Sequence, residues 1–204
     1  MEQKYSPEVI QRAKKIKVVL TDVDGVLTDA SMNFFTTPAG ATLEVKKFNA
    51  YDGIAFHMLR DSGIKTGIIT GGNAPSTEYR AKALGMDYLY YNFLSKLQPL
   101  EDILIKAGVR EDQVAFIGDD LIDLPVMMRV GLACCPGAAR DEIKKYAHLM
   151  LHTPAGQGCY REVAELILKA QGSWDEVIAK ANVGEIGLSR KKETLVVNFK
   201  DWKM

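Results

Sequence analysis

Two carboxylates one residue apart follow the first apolar run of the chain. Asp22 and Asp24 come directly after residues 17–21 (KVVLT), and Gly25 follows them. Side chains two apart in an extended segment can point the same way, and glycine allows a sharp exit from a strand. One carboxylate could act as a nucleophile and the other as an acid and base. Because Asp and Gly are also ordinary turn formers, this pair alone leaves a simple turn equally open.

Three later polar clusters supply other groups that a phosphate site needs. Thr70 offers a hydroxyl, and Gly71-Gly72 offer backbone N–H groups shortly before a helix that Pro75 could begin. Lys96 carries a flexible point charge suited to a phosphoryl oxygen. Residues 118–123 (GDDLID) hold three acids within six positions. A glycine turn and a solvated lysine remain simpler explanations when each cluster is taken singly.

The charges of these clusters predict a metal ion. Four or five carboxylates at one edge repel one another, and a carboxylate nucleophile repels a phosphate dianion, so catalysis needs a hard, oxygen-seeking cation. Mg²⁺ is the natural choice. The three histidines, His57, His148 and His152, are scattered and lack the spacing of a zinc motif.

Alternating elements must position these residues. Strand-length apolar runs occur at 18–20, 66–69, 88–91, 114–117 and 130–134, and amphipathic segments at 52–62, 75–84, 97–107, 125–129 and 139–147. This order predicts an α/β fold with a doubly wound, mostly parallel sheet. Ligands bind beyond the carboxyl ends of the strands in such sheets, and the polar clusters fall there.

Composition excludes several classes of function. The chain of 204 residues suits one full core, and Lys plus Arg equals Asp plus Glu at 26 each, which disfavours nucleic-acid binding. No run of 18 apolar residues and no apolar leader is present, so we expect a cytoplasmic protein that does not bind membranes. Cys134, Cys135 and Cys159 are read as buried thiols in a reducing compartment.

The order of the motifs resembles the haloacid dehalogenase superfamily of phosphohydrolases. Its four motifs are similar to residues 22–29 (DVDGVLTD), 68–71 (IITG), Lys96 and 118–123 (GDDLID). The resemblance extends to one branch, the 3-deoxy-D-manno-octulosonate 8-phosphate phosphatases, through residues 47–49 (KFN), 52–53 (DG), 120–127 (DLIDLPVM), 130–132 (VGL) and 156–163 (GQGCYREV). It covers residues 15–175 and implies a Rossmann-like haloacid dehalogenase fold and a role in cell-surface polysaccharide biosynthesis.

The resemblance also implies residue roles. Asp22 would form an aspartyl-phosphate, Asp24 would protonate the leaving alcohol and then activate water, and Thr70 and Lys96 would bind the phosphoryl oxygens. The implied metal ligands are the Asp22 carboxylate, the Asp24 backbone carbonyl and Asp119. The implied substrate-binding residues are Gly71, Asn49, Asp52, Asp120, Asp123 and Arg161.

Three departures from this branch leave the substrate open. Tyr51, Gly72 and Gln157 stand where the branch usually has Arg, which binds the carboxylate of a sugar acid. A nonulosonate 9-phosphate or another phosphate monoester is therefore an alternative substrate. The basic residues 190–192 (Arg190, Lys191, Lys192) could replace the lost charge at a neighbour's site, although a solvated loop is the simpler explanation.

Spacing predicts that no cap domain covers the site and that another subunit closes it. Only 45 residues separate Asp24 from Thr70, and 25 separate Thr70 from Lys96, so neither gap holds a cap domain. Residues 31–49 are expected to form a projecting β-hairpin whose aromatic face needs a partner. We therefore expect a homo-oligomer, and the family resemblance implies a homotetramer.

The chain divides into a phosphatase domain at 1–170 and a C-terminal extension at 171–204 that packs on the body or on a neighbouring subunit. A helix is expected at 174–181 and a strand at 194–199. Two rival functions remain. In a response-regulator receiver domain the acids and the Lys come in a different order, and a non-catalytic scaffold would not need all four motifs.

Overall fold

Seven parallel strands form the centre of the computed structural model, which describes residues 5–188 and 193–202. In chain order the elements are α1 (Pro7–Ala13), β1 (Val18–Thr21), β2 (Asn33–Thr36), β3 (Thr42–Val45), α2 (Ala50–Asp61), β4 (Lys65–Ile69), α3 (Pro75–Leu84), β5 (Tyr88–Tyr91), α4 (Leu97–Ala107), β6 (Val114–Ile117), α5 (Leu124–Met127), β7 (Leu132–Pro136), α6 (Asp141–Lys144), β8 (Leu149–Leu151), α7 (Cys159–Ala170), α8 (Trp174–Asn182) and β9 (Leu195–Asn198).

The sheet order is β8-β7-β6-β1-β4-β5-β9, and every pairing between neighbours is parallel. Alternate residues of β1 enter different cores. Val19 joins the cluster formed with α1, α2, α3 and α7, whereas Val18 and Leu20 join the cluster formed with α4, α5 and α6. Because both faces are covered, β1 is fully buried, and the predicted doubly wound sheet is confirmed.

One strand and one helix depart clearly from their predicted bounds. The strand predicted at 130–134 is wrong in its bounds: β7 runs from Leu132 to Pro136, because Gly131 is held outside the strand by the backbone of Glu111, to which its N–H donates a hydrogen bond. The helix predicted at 139–147 contracts to α6. The short edge strand β8 was not predicted, and neither was α7, although apolar residues recur at helical spacing along that helix.

The predicted hairpin is present. β2 and β3 pair antiparallel from Asn33 opposite Val45 to Thr36 opposite Thr42, and Gly40 takes a φ of 82° between them. Phe34 and Phe35 are 63% and 56% exposed, so the hairpin leaves large apolar side chains uncovered. The connections from β1 to β4 and from β4 to β5 hold the hairpin, α2 and α3, and no separately folded cap lies there among the described residues.

The C-terminal residues complete the sheet. The helix α8 and the strand β9 lie close to the predicted bounds, and β9 pairs in parallel with β5. Trp202 packs edge-on against Tyr90 and Phe93, with ring centroids 6.3 and 5.5 Å apart. The basic residues 190–192 lie outside the described part of the chain.

Across residues 5–188 and 193–202, no helix combines the length and apolar character needed to cross a bilayer.

Candidate active site

The carboxyl ends of four neighbouring strands bring the predicted motif residues to one edge of the sheet. Asp22 prolongs β1, since its backbone N–H donates to the carbonyl of Ile117 in β6 at 2.9 Å. Thr70 follows β4, and its backbone N–H donates to Tyr90 in β5. Asp119 follows β6, and Lys96 precedes α4. Parallel register therefore explains why residues that are far apart in sequence meet here.

Lys96 lies at the centre of a buried charge cluster. Its Nζ is 3.0 Å from Asp22 Oδ2 and 2.5 Å from Asp123 Oδ1, and its side chain is fully buried. Burial alone would lower the pKa of Lys96, but the carboxylates of Asp22 and Asp123 outweigh it and raise that pKa. Lys96 therefore remains an ammonium directed at Asp22.

Asp123 orients its neighbours from beneath the site. Its Oδ2 accepts hydrogen bonds from the backbone N–H groups of Asp119 and Asp120 at 2.9 and 3.3 Å, and its Oδ1 accepts one from Lys96. Gly118 makes room for it, because a Cβ there would lie 2.5 Å from Asp123 Cβ. Asp123 is fully buried, and its contacts hold Lys96 and the backbone of Asp119 in place.

Three carboxylates gather where a cation could bind. One oxygen from each of Asp22, Asp119 and Asp123 lies within 4.8 Å of the others. Among the residues that the structure describes, Asp22 Oδ1 and Asp119 Oδ1 are buried without a hydrogen-bond partner, which is costly unless another group contacts them. Hard oxygen donors left unpaired in this way fit a divalent cation such as Mg²⁺.

The pKa values of Asp22 and Asp119 are both raised. Burial, opposed by Lys96 and assisted by Asp123, raises the pKa of Asp22 to about 6. Burial, together with the charges of Asp22 and Asp123, raises the pKa of Asp119 to about 7. A bound cation would favour both charged forms, so these residues are poised to exchange protons for metal.

Gly25 gives Asp119 the space it occupies. A Cβ at Gly25 would lie 2.0 Å from Asp119 Oδ2, and its φ of 86° is one that other residues rarely adopt. Gly25 thus turns the chain after Asp24 and leaves space for the carboxylate of Asp119, which follows the neighbouring strand β6.

The two oxygens of Asp24 have different surroundings. Oδ1 accepts hydrogen bonds from Thr28 Oγ1 at 3.2 Å and from Lys46 Nζ at 2.6 Å. A side chain at Gly72 would place its Cβ 3.4 Å from Asp24 Oδ2 and 3.4 Å from Thr70 Oγ1. Asp24 Oδ2 therefore faces the loop after β4.

The loop after β4 is held by short contacts. Thr70 Oγ1 accepts a hydrogen bond from the Gly72 N–H at 3.0 Å, and the Thr70 carbonyl accepts one from Phe93. Helix α3 begins at Pro75, as predicted. A Cβ at Gly71 would lie 3.0 Å from Leu94 Cδ2, so this glycine also lies between the loops that follow β4 and β5.

The remaining predicted substrate residues fall into two places. Asp120 caps the 3₁₀ turn Leu121–Asp123 through the Leu121 N–H. Asn49 and Asp52 join α2 to the start of α7: Asn49 Nδ2 donates to Gly156, and Asp52 Oδ1 accepts from the Arg161 backbone N–H at 3.0 Å. Burial raises the pKa of Asp52 to about 6. Asp52 is 3% exposed: its Oδ1 accepts from the first turn of α7, and its Oδ2 is buried without a hydrogen-bond partner among the described residues.

Arg161 projects into an open cleft. Its Nε is 2.8 Å from Glu165 Oε1, and the cleft is also lined by Tyr51 and Gln157. Tyr51 and Gln157, which stand where the resembled branch usually has arginine, thus line the same cleft as Arg161. The third such position, Gly72, lies beside Asp24.

Lys46 is the site residue that sequence reasoning missed. Nothing in its spacing distinguishes it from the chain's other lysines, and its contact with Asp24 depends on how the hairpin folds back. The buried thiols, in contrast, were predicted: Cys134, Cys135 and Cys159 are buried and unpaired.

Known proteins share this architecture. Residues 33–131 match the family model of haloacid dehalogenase-like hydrolases. A 3-deoxy-D-manno-octulosonate 8-phosphate phosphatase of Salmonella typhimurium is 38% identical over 171 residues, which cover 84% of this chain and 89% of that protein. The crystal structure of the Yersinia pestis phosphatase of the same name has a TM-score of 0.78 at 39% identity and covers 83% of this chain and 89% of its own.

A third relative was solved with ligands. The 3-deoxy-D-manno-octulosonate 8-phosphate phosphatase of Moraxella catarrhalis, in complex with a magnesium ion, a phosphate ion and a KDO molecule, has a TM-score of 0.81 at 34% identity, over 87% of this chain and 99% of that chain. These similarities confirm the family expected from the motifs. The chain belongs to the haloacid dehalogenase-like hydrolases and, within them, to the branch of the 3-deoxy-D-manno-octulosonate 8-phosphate phosphatases.

Proposed function

We propose that the chain hydrolyses a phosphate monoester through an aspartyl-phosphate on Asp22. The Asp22 carboxylate attacks phosphorus while the bond to the leaving oxygen breaks, and Asp24 gives that oxygen a proton. Asp24 then takes a proton from the water that attacks the aspartyl-phosphate, which releases phosphate and restores both acids. The observation that carries this proposal is the buried Asp22 carboxylate, which pairs through Oδ2 with Lys96 and has no partner at Oδ1 within the described part of the chain.

The chain's cations and hydroxyls would hold the phosphoryl group. Lys96 offsets the charge of Asp22 as the dianion approaches, and Thr70 and the Gly71 N–H offer hydrogen bonds to its oxygens. The proposed cofactor is Mg²⁺, held by the carboxylates of Asp22 and Asp119 and the backbone carbonyl of Asp24. When bound, it would neutralise charge on the phosphoryl oxygens.

The proposed substrate is 3-deoxy-D-manno-octulosonate 8-phosphate, in cell-surface polysaccharide biosynthesis. Its support is the name shared by the relatives and the KDO molecule in the Moraxella catarrhalis neighbour. A nonulosonate 9-phosphate or another phosphate monoester is the second candidate, because Tyr51, Gly72 and Gln157 stand where the resembled branch usually has arginine. Two of these residues line the cleft of Arg161, where a sugar acid's carboxylate would have fewer cations to bind.

A panel of phosphate esters tests the proposal. Phosphate release with Mg²⁺ should be fastest, by kcat/KM, with phosphorylated 2-keto-3-deoxy sugar acids, and Asp22→Asn should abolish it. Equal rates on ordinary hexose phosphates would remove the sugar-acid assignment and leave the phosphatase. A protein that releases no phosphate from any ester would be a scaffold, and one that turns over only its own phosphate slowly would be receiver-like.

We also propose a homotetramer built on the hairpin. On one hairpin face Phe35 pairs with Leu43, and both are exposed at 56% and 47% in the single chain. An uncovered apolar face of this kind favours burial by another copy. Sedimentation at micromolar concentration should show an oligomer, and Phe35→Lys should disrupt it. Ile105→Lys, at a residue of α4 that is 80% exposed, is the matched control. A fully active monomer would contradict this proposal.

The boundary between body and extension remains part of the proposal. Residues 1–170 would carry the phosphatase chemistry, and 171–204 would be an extension docked on the body. The pairing of β9 with β5 and the packing of Trp202 support docking on the same chain.

A further inference from the structure

Lys46 is buried where a lysine would ordinarily reach solvent. It follows β3 at the base of the hairpin, and its side chain is only 3% exposed. Its Nζ lies 2.6 Å from Asp24 Oδ1 and 2.5 Å from Glu44 Oε1. An ammonium gives up hydration and side-chain freedom to be held in this way, so its two carboxylate partners must compensate.

The ion pair makes the Asp24 carboxylate asymmetric. Oδ1 is occupied by the Lys46 ammonium and by the hydroxyl of Thr28. Only Oδ2 is directed towards the loop of Thr70 and Gly72. A proton carried on Oδ2 would therefore be in reach of a phosphate ester at this loop, whereas Oδ1 is already used as an acceptor.

We propose that Lys46 is a positioning residue that holds Asp24 with Oδ2 turned to the reacting ester. This inference rests on the proposed role of Asp24 as the general acid. As the P–O bond breaks, the proton on Oδ2 passes to the leaving oxygen, and Asp24 becomes a carboxylate. The Lys46 ammonium stays on Oδ1 through this step and keeps Oδ2 turned to the ester.

Glu44 has a different part in this arrangement. It lies in β3 and holds the other side of the Lys46 ammonium, so it ties that lysine to the hairpin. Removing its charge in Glu44→Gln leaves an oxygen that can still accept from Lys46. The ion pair with Asp24 should then persist. We expect this variant to keep the leaving-group preference of the unchanged protein.

A comparison of two substrates shows whether a variant loses general-acid catalysis or another contribution to activity. A nitrophenolate leaves without a proton, whereas the alkoxide of a sugar phosphate needs one, and general-acid catalysis contributes about 10²–10⁴-fold. In Lys46→Met, kcat/KM for octulosonate 8-phosphate should fall about 100-fold, and kcat/KM for p-nitrophenyl phosphate should fall less than about threefold. Lys82→Met, which removes an exposed ion pair to Glu78, is the matched control and should change neither value.

The ratio of the two kcat/KM values decides the inference. An equal loss on both esters, or no loss, in folded Lys46→Met would overturn it, because Lys46 would then only anchor the hairpin or bind the phosphoryl group. If Lys46→Met does not fold, Thr28→Val takes its place, because it removes the other donor to Asp24 Oδ1. A larger loss of kcat/KM for octulosonate 8-phosphate than for p-nitrophenyl phosphate supports the inference, and an equal loss overturns it. Failure of the unchanged protein on both esters would refute the proposed phosphatase function itself.

Discussion

Substitution of Gly25 by alanine should displace the carboxylate of Asp119 from the proposed metal site while leaving the fold intact. The added Cβ would lie 2.0 Å from Asp119 Oδ2 and 2.8 Å from Oδ1, so the carboxylate must move by about 1 Å or more to reach an ordinary contact. Mg²⁺ requires oxygen ligands at about 2.0–2.1 Å in near-octahedral geometry. Asp119 could therefore not act as the proposed Mg²⁺ ligand in Gly25→Ala.

Gly25→Ala should change both the stability of the protein and its affinity for Mg²⁺. Alanine in the left-handed region costs about 1–2 kcal/mol, which lowers Tm by a few degrees in a chain of this length. Disturbing a group that merely orients a metal ligand typically costs about 10–100-fold in affinity, so displacement of Asp119 itself should cost at least about 100-fold. Titration calorimetry with Mg²⁺ measures this affinity, and phosphate release at saturating Mg²⁺ measures activity.

Gly63→Ala is the matched control. Gly63 has a φ of 77°, and a Cβ there would meet nothing within 4 Å. It should share the loss of Tm with Gly25→Ala and keep the Mg²⁺ affinity and activity of the unchanged protein. If Gly25→Ala bound Mg²⁺ as tightly as Gly63→Ala does, Asp119 would not be a metal ligand, and the reasoning would be refuted.

Three further predictions concern stability. Without metal, the free energy of unfolding should fall as pH rises from about 4 to 7, because native Asp22 and Asp119, with pKa values of about 6 and 7, keep protons that the unfolded chain releases near 3.8. Asp119→Asn should flatten that slope in urea titrations with EDTA. In Lys96→Met the free energy of unfolding, measured by urea titration at pH 8, should fall by about 3–5 kcal/mol, because two buried carboxylates lose their cation. Trp202→Ala should lose about 2 kcal/mol, because its ring packs on the aromatic residues at the end of β5.

Each of these predictions has a contradicting result. An unchanged pH slope in Asp119→Asn would mean that this carboxyl titrates normally. If the free energy of unfolding of Lys96→Met fell by less than about 1 kcal/mol, the charge cluster of Lys96, Asp22 and Asp123 would be solvated rather than buried. An unchanged urea midpoint in Trp202→Ala, matching an exposed-ring control such as Tyr146→Ala, would mean that the C-terminal residues do not dock on the sheet.

Local patterns predicted the sheet well. Buried runs such as Val114–Ile117 are short, apolar and followed by acids or glycines, so both the strands and the edge they share could be read along the chain. The meeting of Asp22 with Asp119 followed from that alternation, because parallel strands end at a common edge. Family resemblance then supplied residue roles that spacing alone left open.

Contacts that depend on three-dimensional packing were not predictable. Lys46 reaches Asp24 only because the hairpin folds back, and no periodicity records that. Asp52 and Asp123 accept hydrogen bonds from the backbone N–H groups of Arg161 and Asp119, contacts that no sequence pattern records. The strand β8 has three residues and mixed exposure, too little pattern for a strand to be inferred.

The central claim is that Asp22 becomes phosphorylated. Acid-quenched single turnover of p-nitrophenyl phosphate with Asp24→Asn, which should slow hydrolysis of the intermediate, allows the phosphorylated peptide to be identified by mass spectrometry. We predict a hydroxylamine-sensitive phosphoryl group on Asp22. A phosphoryl group on any other residue, or single turnover that releases nitrophenol while leaving the protein unmodified at every quench time, would contradict the account.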